Sequence, residues 1–489
     1  MIVEFLRSLR DIASVFLIGY GEILVTIFGF LVLFYFIALN STYLFTTLLS
    51  YRTLRRYTRR LKSVDFDELI TQTNIPAITL LAPAYNEEST CVESIKSLMS
   101  LRYPDYDIIV INDGSKDKTL ETLIEAFELE PGAMAPTAKV ATAKVRQKYK
   151  SHRYPNLWVI DKENGGKADA LNVGINYCRT SLFCAMDADT LLEKEALSRI
   201  VRPFLEDERT VAAGGIIRIA NGCQVESGSL SNIRLPRNYL AQFQVMEYLR
   251  AFLSGRMGWE SMNASLIISG AFGVFLRSTV VEVGGYAHDT VGEDMELVVK
   301  LHKYCRANHI PYRITFVPDP VAWTECPESM KVLGRQRDRW QRGLYEVLTR
   351  HVDMLFNPKY GRIGMLAFPY FFFLEMLGPV IELPGYIMFF IYLLLGKLGV
   401  FYPVAFFLLA LVFGMILSVA TVGLEELTFR RYPRTRDLLQ LFLLAVIENF
   451  GYRQLTTYWR IRGLFSALRG KKTWGKMERK GFTKKPADK

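Results

Sequence analysis

Apolar positions follow two different rhythms along the 489-residue chain. Toward both ends they run almost unbroken, whereas in the middle short apolar runs alternate with polar, helix-period stretches. From Ile12 to Leu49 only Glu22 breaks the run, and no charge falls between Ile23 and Phe45. That is enough to cross a hydrocarbon core of roughly 30 Å. It is too long for a signal-peptide core, and no small-residue cleavage site follows. A second apolar region, Ile363 to Leu424, is punctuated by Gly378, Pro379, Pro384, Gly385 and Gly399–Pro403. It predicts an interfacial helix over 363–376 and spans over 378–397 and 402–424. Residues 438–462 mix leucines with Glu448, Asn449, Arg453 and Arg460 and predict one amphipathic helix lying in the interface. A fourth crossing stays open if the first run is a hairpin. Glu375 and Glu382 fall in or beside a span, where acids are costly. Both lining a polar channel and sitting at the interface are open to them.

Between residues 63 and 362 strand-length runs alternate with helical periods. Ile78–Ala82, Tyr106–Ile111, Asn156–Ile160 and Leu182–Ala185 read as strands. Glu87–Leu101, Asp117–Phe127 and Gly166–Cys178 read as helices. Repeated βα units predict a largely parallel sheet covered by helices, with ligands beyond the carboxyl ends of its strands. Residues 129–150 read as a loop insertion. The resulting division is an N-terminal membrane region (1–50), an α/β domain (51–362), an interfacial helix with two spans (363–424), and an amphipathic helix with a basic tail (425–489).

Composition agrees with a soluble core joined to spanning helices: 50% of residues are hydrophobic and 22% charged. The net charge of +11 is placed beside the apolar runs. Residues 51–62 carry six positive charges and no acid, and Arg430, Arg431, Arg434 and Arg436 follow the last span. Both flanks read as cytoplasmic. This placement favours lipid contact over nucleic acid, for which no motif is present. The six cysteines form no CxxC and read as reduced thiols; the five histidines form no HExxH.

The candidate chemistry follows the strand ends. Asp187-Ala188-Asp189 places two carboxylates on one side of an extended segment, suited to Mg²⁺ or Mn²⁺ or to a solvated polar turn. Gly165-Gly166-Lys167 opens a helix, where backbone N–H groups receive phosphate; an ordinary glycine turn reads the same way. Asp294 starts a helical run as a general base or as a first-turn acid. Gln336, Arg339 and Trp340 share one helix face, offering a fork for phosphate and a platform for a sugar, or only a Trp anchor among solvated arginines. GxGxxG and P-loop patterns are absent.

Taken in order, PAYNE (83–87), NDGS (112–115), GGKADALN (165–172), DAD (187–189), SGAF (269–272), GED (292–294) and QRDRW (336–340) resemble glycosyltransferase family 2. The likeness is closer to its membrane-bound inverting synthases of cellulose, hyaluronan, chitin and poly-N-acetylglucosamine. It covers about residues 75–345. It implies a GT-A, Rossmann-like α/β domain with transmembrane and interfacial helices, in a multi-pass protein of the bacterial cytoplasmic membrane with its catalytic domain in the cytosol. By that resemblance Tyr85, Glu87 and Asp113 would hold the uridine of a UDP-sugar, and Lys167 would lie near the nucleotide. Asp187 and Asp189 would meet the diphosphate and its Mg²⁺ or Mn²⁺. Ser269, Gly270, Ala271 and Phe272 would border the acceptor sugar, and Asp294 would be the base. Gln336 and Arg339 would meet the pyrophosphate and Trp340 would stack on the acceptor. The implied partners are a UDP-sugar, a polysaccharide or glycolipid acceptor and membrane lipids, with an accessory export subunit left open. Neither the FxVTxK gating loop of bacterial cellulose synthases nor a PilZ-like RxxxR domain is found, so the resemblance does not imply control by cyclic di-GMP within this chain. Single transfer to a lipid carrier, and a silent membrane scaffold, are the alternative readings.

Overall fold

A computed structural model of the chain describes residues 2–63, 75–187, 190–226, 229–395 and 401–471. The apolar N-terminal run forms one helix, α1 (Ile2–Ser63), which does not stop at residue 50 but continues through the basic stretch. The α/β part follows as β1 (Ile78–Ala84), α2 (Cys91–Met99), β2 (Tyr106–Asn112), α3 (Thr119–Phe127), β3 (Leu129–Pro131), β4 (Val145–Ser151) and β5 (Leu157–Lys162). Next come α4 (Lys167–Tyr177), β6 (Leu182–Met186), β7 (Leu191–Leu192), α5 (Ala196–Glu206) and β8 (Thr210–Ile219). The small pair β9 (Gln224–Glu226) and β10 (Ser229–Asn232) precedes α6 (Tyr239–Leu249), which runs on through a π-helical turn, Arg250–Arg256. Then come β11 (Phe272–Leu276), α7 (Arg277–Glu282), α8 (Glu293–Ala307), β12 (Arg313–Thr324) and α9 (Met330–Arg350). The chain continues as α10 (Ile363–Met376), α11 (Gly378–Leu395), α12 (Phe401–Thr428), α13 (Thr435–Ile447) and α14 (Tyr452–Leu468).

Ten strands form one mixed sheet in the order β3-β4-β5-β2-β1-β6-β11-β8-β12-β7. Its centre, β5-β2-β1-β6, is parallel. The period-2 pattern of β1 and β2 explains why. Leu80, Ala82, Ile108 and Val110 feed the core on one face, and Leu81, Ile109 and Ile111 feed the core on the other. Parallel strands covered on both faces need apolar residues at nearly every position. Register pairs Ala84 with Asn112 and Asn112 with Asp161, so these strands end at one edge. The strand order reverses between β1 and β6, which makes this edge a topological switch point. β11 runs antiparallel to β6 with Phe272 opposite Met186, which brings residues 269–271 to the same edge.

Two expectations are corrected. Residues 129–150 are not simply a loop: β3 and β4 extend the sheet beyond β5. Residues 438–462 are not one amphipathic helix either. They divide at Glu448–Gly451, where Gly451 adopts φ +96, into α13 and α14. Among the described residues, two helical stretches are long and apolar enough to cross a membrane, Ile23–Leu61 and α12. α10 and α11 meet that test only as a pair, bent by 40°.

α14 lies against α9 at close range. A Cβ on Gly463 would fall 2.6 Å from the Asp338 carbonyl oxygen, and one on Gly334 would fall 2.7 Å from Trp459 Nε1. Arg462 donates to the Gly334 carbonyl (2.8 Å) and to Asp338 (3.2 Å). Gly463→Val is therefore expected to cost roughly 1–3 kcal/mol through overpacking against backbone. A lowered Tm of the purified variant checks this, and an unchanged Tm contradicts the contact.

Candidate active site

The first piece is built where β2 and β5 end. Asp113, 3% exposed, follows β2 and directs its carboxylate into the glycine loop. It accepts from Gly165 N (3.0 Å), Gly166 N (2.8 Å) and Asn164 Nδ2 (3.1 Å), and forms a short contact with Lys162. Lys162 has no exposed surface and also meets Asp169 at 2.6 Å. Burial raises the Asp113 carboxyl, and the Lys162 ammonium and the two glycine N–H groups only partly pull it back. The geometry thus gives Asp113 a job that the resemblance did not suggest, that of anchoring the Gly165–Gly166 loop. Tyr85 is 44% exposed nearby in sequence to Glu87, whose carboxylate accepts from Thr90 Oγ1 at 2.7 Å.

The second piece joins β6, β11 and α8. Lys167, at the start of α4, reaches Asp187 at 2.5 Å and the Gly270 carbonyl at 3.3 Å. On the other side of that glycine, its N–H donates to Asp294 Oδ2 at 3.1 Å. Asp294 also accepts from its neighbour Met295 N at 2.8 Å in the first turn of α8, where an acid suits the positive end of the helix. Glu293 is buried, 3.9 Å from Lys167. Burial raises its carboxyl to about 7 against the pull of Lys167 and Arg339, and the Asp294 charge adds to the rise. Burial lowers the Lys167 ammonium, but Asp187, Glu293 and Asp294 more than offset this and leave it raised. Of the SGAF residues, Ser269 and Gly270 reach the surface, whereas Ala271 is buried and Phe272 lies entirely in the core. A cavity of about 160 Å³ opens between the glycine loop and the α8 N-terminus, lined by Gly166, Lys167, His288, Thr290, Glu293 and Glu346.

The third piece is α9. Trp340 is 43% exposed, Arg339 partly so, and Gln336 is buried with its amide oxygen accepting from Arg337 at 2.8 Å. Glu375 and Glu382 lie in the helical part and both have partners. Tyr43, Tyr370 and Arg460 meet Glu375 at 2.9, 2.7 and 3.1 Å, and Tyr35 and Thr457 meet Glu382 at 2.5 and 2.9 Å. A larger cavity of about 700 Å³ lies where α1 and α12 end, away from these clusters. Its arginines, Arg199, Arg430 and Arg431, are paired with Glu193, Asp319 and Glu426.

For a divalent cation the described donor is Asp187; Asp189 lies outside the described residues. Among the described residues no three His, Cys, Asp or Glu side chains converge. A carboxylate at the end of β6, with its side chain 31% exposed, fits a hard cation that takes its remaining ligands from a diphosphate and water.

Lys162, Glu293 and Arg337 escaped the sequence reading as individual site residues. Only the position of Lys162 at the end of a buried strand, and the place of Glu293 inside GED, could have pointed to them.

A mixed sheet with acids, a glycine loop and a lysine gathered at its carboxyl edge places a ligand site where open α/β sheets carry theirs. The profile described as "Glycosyltransferase like family 2" matches residues 76–343, more than half of the chain. The chain belongs to that glycosyltransferase family, and the α/β GT-A class expected of it stands. It is 28% identical over 318 residues to a poly-beta-1,6-N-acetyl-D-glucosamine synthase of Staphylococcus aureus, the match covering 65% of each chain. The Staphylococcus epidermidis synthase of the same name is 30% identical over 277 residues, 56% of each. The match thus spans 65% of the length of the first of these relatives and 56% of the second, less than two thirds of either. Among solved structures, the mannosyltransferase PcManGT from Pyrobaculum calidifontis, in complex with GDP-Man and Mn2+, is similar with a TM-score of 0.49 and 16% identity, over 90% of this chain and 99% of that one.

Proposed function

We propose that this glycosyltransferase carries sugar from a UDP-sugar to the growing end of a β-linked polysaccharide, with inversion, at the cytoplasmic face of a membrane. A UDP-N-acetylhexosamine is the donor class that the similar synthases favour. The observation that carries the reading is the bracket around Gly270: Lys167 with Asp187 on one side, Asp294 on the other, beside α8 and α9.

In this reading the acceptor hydroxyl gives its proton to Asp294 as its oxygen attacks the anomeric carbon, and the bond to the diphosphate breaks in the same displacement. No enzyme carboxylate becomes attached to the sugar. Lys167 and Arg339 face the negative charge that develops on the departing UDP, where fixed cations act most strongly. Mg²⁺ or Mn²⁺ at Asp187 and Asp189 would supply further Lewis-acid stabilisation of the diphosphate. Asp113 acts through the loop it holds, while Tyr85 and Glu87 border the base. Trp340 offers the acceptor ring its face. The helical part, with its paired Glu375 and Glu382, carries the protein in the bacterial cytoplasmic membrane and gives the polymer its way out.

The test is UDP release by the purified protein in lipid nanodiscs with a panel of UDP-sugars and Mg²⁺ or Mn²⁺. One donor, expected to be UDP-N-acetylglucosamine, should release UDP well above the others. Release with no donor of the panel contradicts the reading.

A further inference from the structure

QRDRW contains a second arginine that the reading above leaves without a task. Arg337 is 2% exposed, and its guanidinium lies over the ring of Trp340, 4.2 Å from the centroid. From there it reaches Gln336 Oε1 at 2.8 Å and Glu247 Oε2 at 2.6 Å. Glu247 belongs to α6 and also accepts from Tyr452, the first residue of α14, at 2.8 Å. The Tyr452 ring in turn stacks on Phe243 of α6 at 4.9 Å. Three helices distant in sequence thus meet beneath one tryptophan. A planar guanidinium can stack on an indole and bind a carboxylate and an amide in its own plane at once, which an ammonium cannot do.

We propose that Arg337, braced by Glu247 and Tyr452, is a positioning residue that fixes the Trp340 indole as a rigid sugar platform. The proposal rests on the reading of Trp340 as the acceptor contact. Without the brace the indole is free to turn about its side-chain torsions, and an acceptor ring then has to order it on binding. Gln336 and Arg339 share α9 with the brace, but the rest of the donor end stands on α4, the end of β6 and α8, so the acceptor end bears the larger effect.

The test uses the full chain in nanodiscs, UDP-N-acetylglucosamine as donor and a β-1,6-linked N-acetylglucosamine pentasaccharide as the acceptor probe. Arg337→Lys is expected to raise the acceptor KM about tenfold, as loosened orientation does, with the donor KM within about twofold. It should also remove the near-ultraviolet circular dichroism band that Trp340→Phe removes. Tyr452→Phe deletes a single hydrogen bond to Glu247 and keeps the buried cation, so it remains informative should Arg337→Lys not fold; the acceptor KM should rise by a few-fold. Trp340→Ala separates the two claims. If it leaves the acceptor KM unchanged, the acceptor reading of Trp340 fails and this inference falls with it. If it raises the KM while Arg337→Lys and Tyr452→Phe keep both the KM and the Trp340 band, the positioning role alone is overturned.

Discussion

Asp294→Asn is expected to lower the rate of sugar transfer by about three orders of magnitude, within the range for loss of a positioned general base. The affinity for UDP should stay within about twofold, because the amide keeps the size of the side chain and its one oxygen can still accept from Gly270 N or from Met295 N, which the two carboxylate oxygens accept separately in the parent. What it cannot do is take a proton from a hydroxyl. The two readouts together separate chemistry from folding: a collapsed site would lose UDP as well. UDP binding by calorimetry and transfer by radiolabelled sugar incorporation measure them. Turnover in the variant near that of the parent removes Asp294 from the role of base.

Lys162→Met should have the largest effect on stability. Its ammonium, with no exposed surface, stands between Asp113 and Asp169, 3% and 2% exposed. Removing one partner of a buried ion pair leaves charge uncompensated and typically costs about 3–5 kcal/mol. In a chain of this size such a loss lowers Tm by roughly 3–5 °C. The glycine loop should loosen as well, because Asp113 is the acceptor for Gly165 N and Gly166 N. Weaker UDP binding measured well below the new Tm would show that second effect. A Tm within a degree or two of the parent contradicts the buried-bridge account.

The legible and illegible parts of the fold differ in where their causes lie. β1, β2, β5 and β6 are filled by residues that point into one core or the other, so nearly every position is apolar and local pattern is enough. The first apolar stretch, long enough to cross a membrane, is equally plain, since length and lack of charge are local properties. β4 was missed because Val-Arg-Gln-Lys-Tyr-Lys-Ser is a half-exposed strand near the sheet margin, held by its pairing with β5 rather than by an apolar face. β3 is three residues long and ends in Pro131. The segment 438–462 looked amphipathic because its charges were assumed to face water or lipid headgroups. Glu448 meets Arg250, and Arg460 meets Glu375 and Gln341, partners many residues away that no local period reveals.

The site divides along the same line. Strand ends place Lys167 and Asp187 at one edge of the sheet, and the family resemblance adds Gly270 and Asp294; register explains their meeting, since β11 starts opposite the end of β6. The inward turn of Asp113 depends on Lys162, and a single lysine among 60 basic residues gives no signal. Phe272 is grouped with its motif neighbours, yet it opens β11, a strand covered on both faces, and packs into the core.

The central claim is that this family 2 enzyme builds a β-linked polymer by inverting transfer. Its most direct test is the product made from the donor that releases UDP, sized on a gel and read at the anomeric carbon by NMR. A long chain with β linkages throughout is the predicted result. An α linkage contradicts the single displacement, and a product that stops after one added sugar contradicts the polymer.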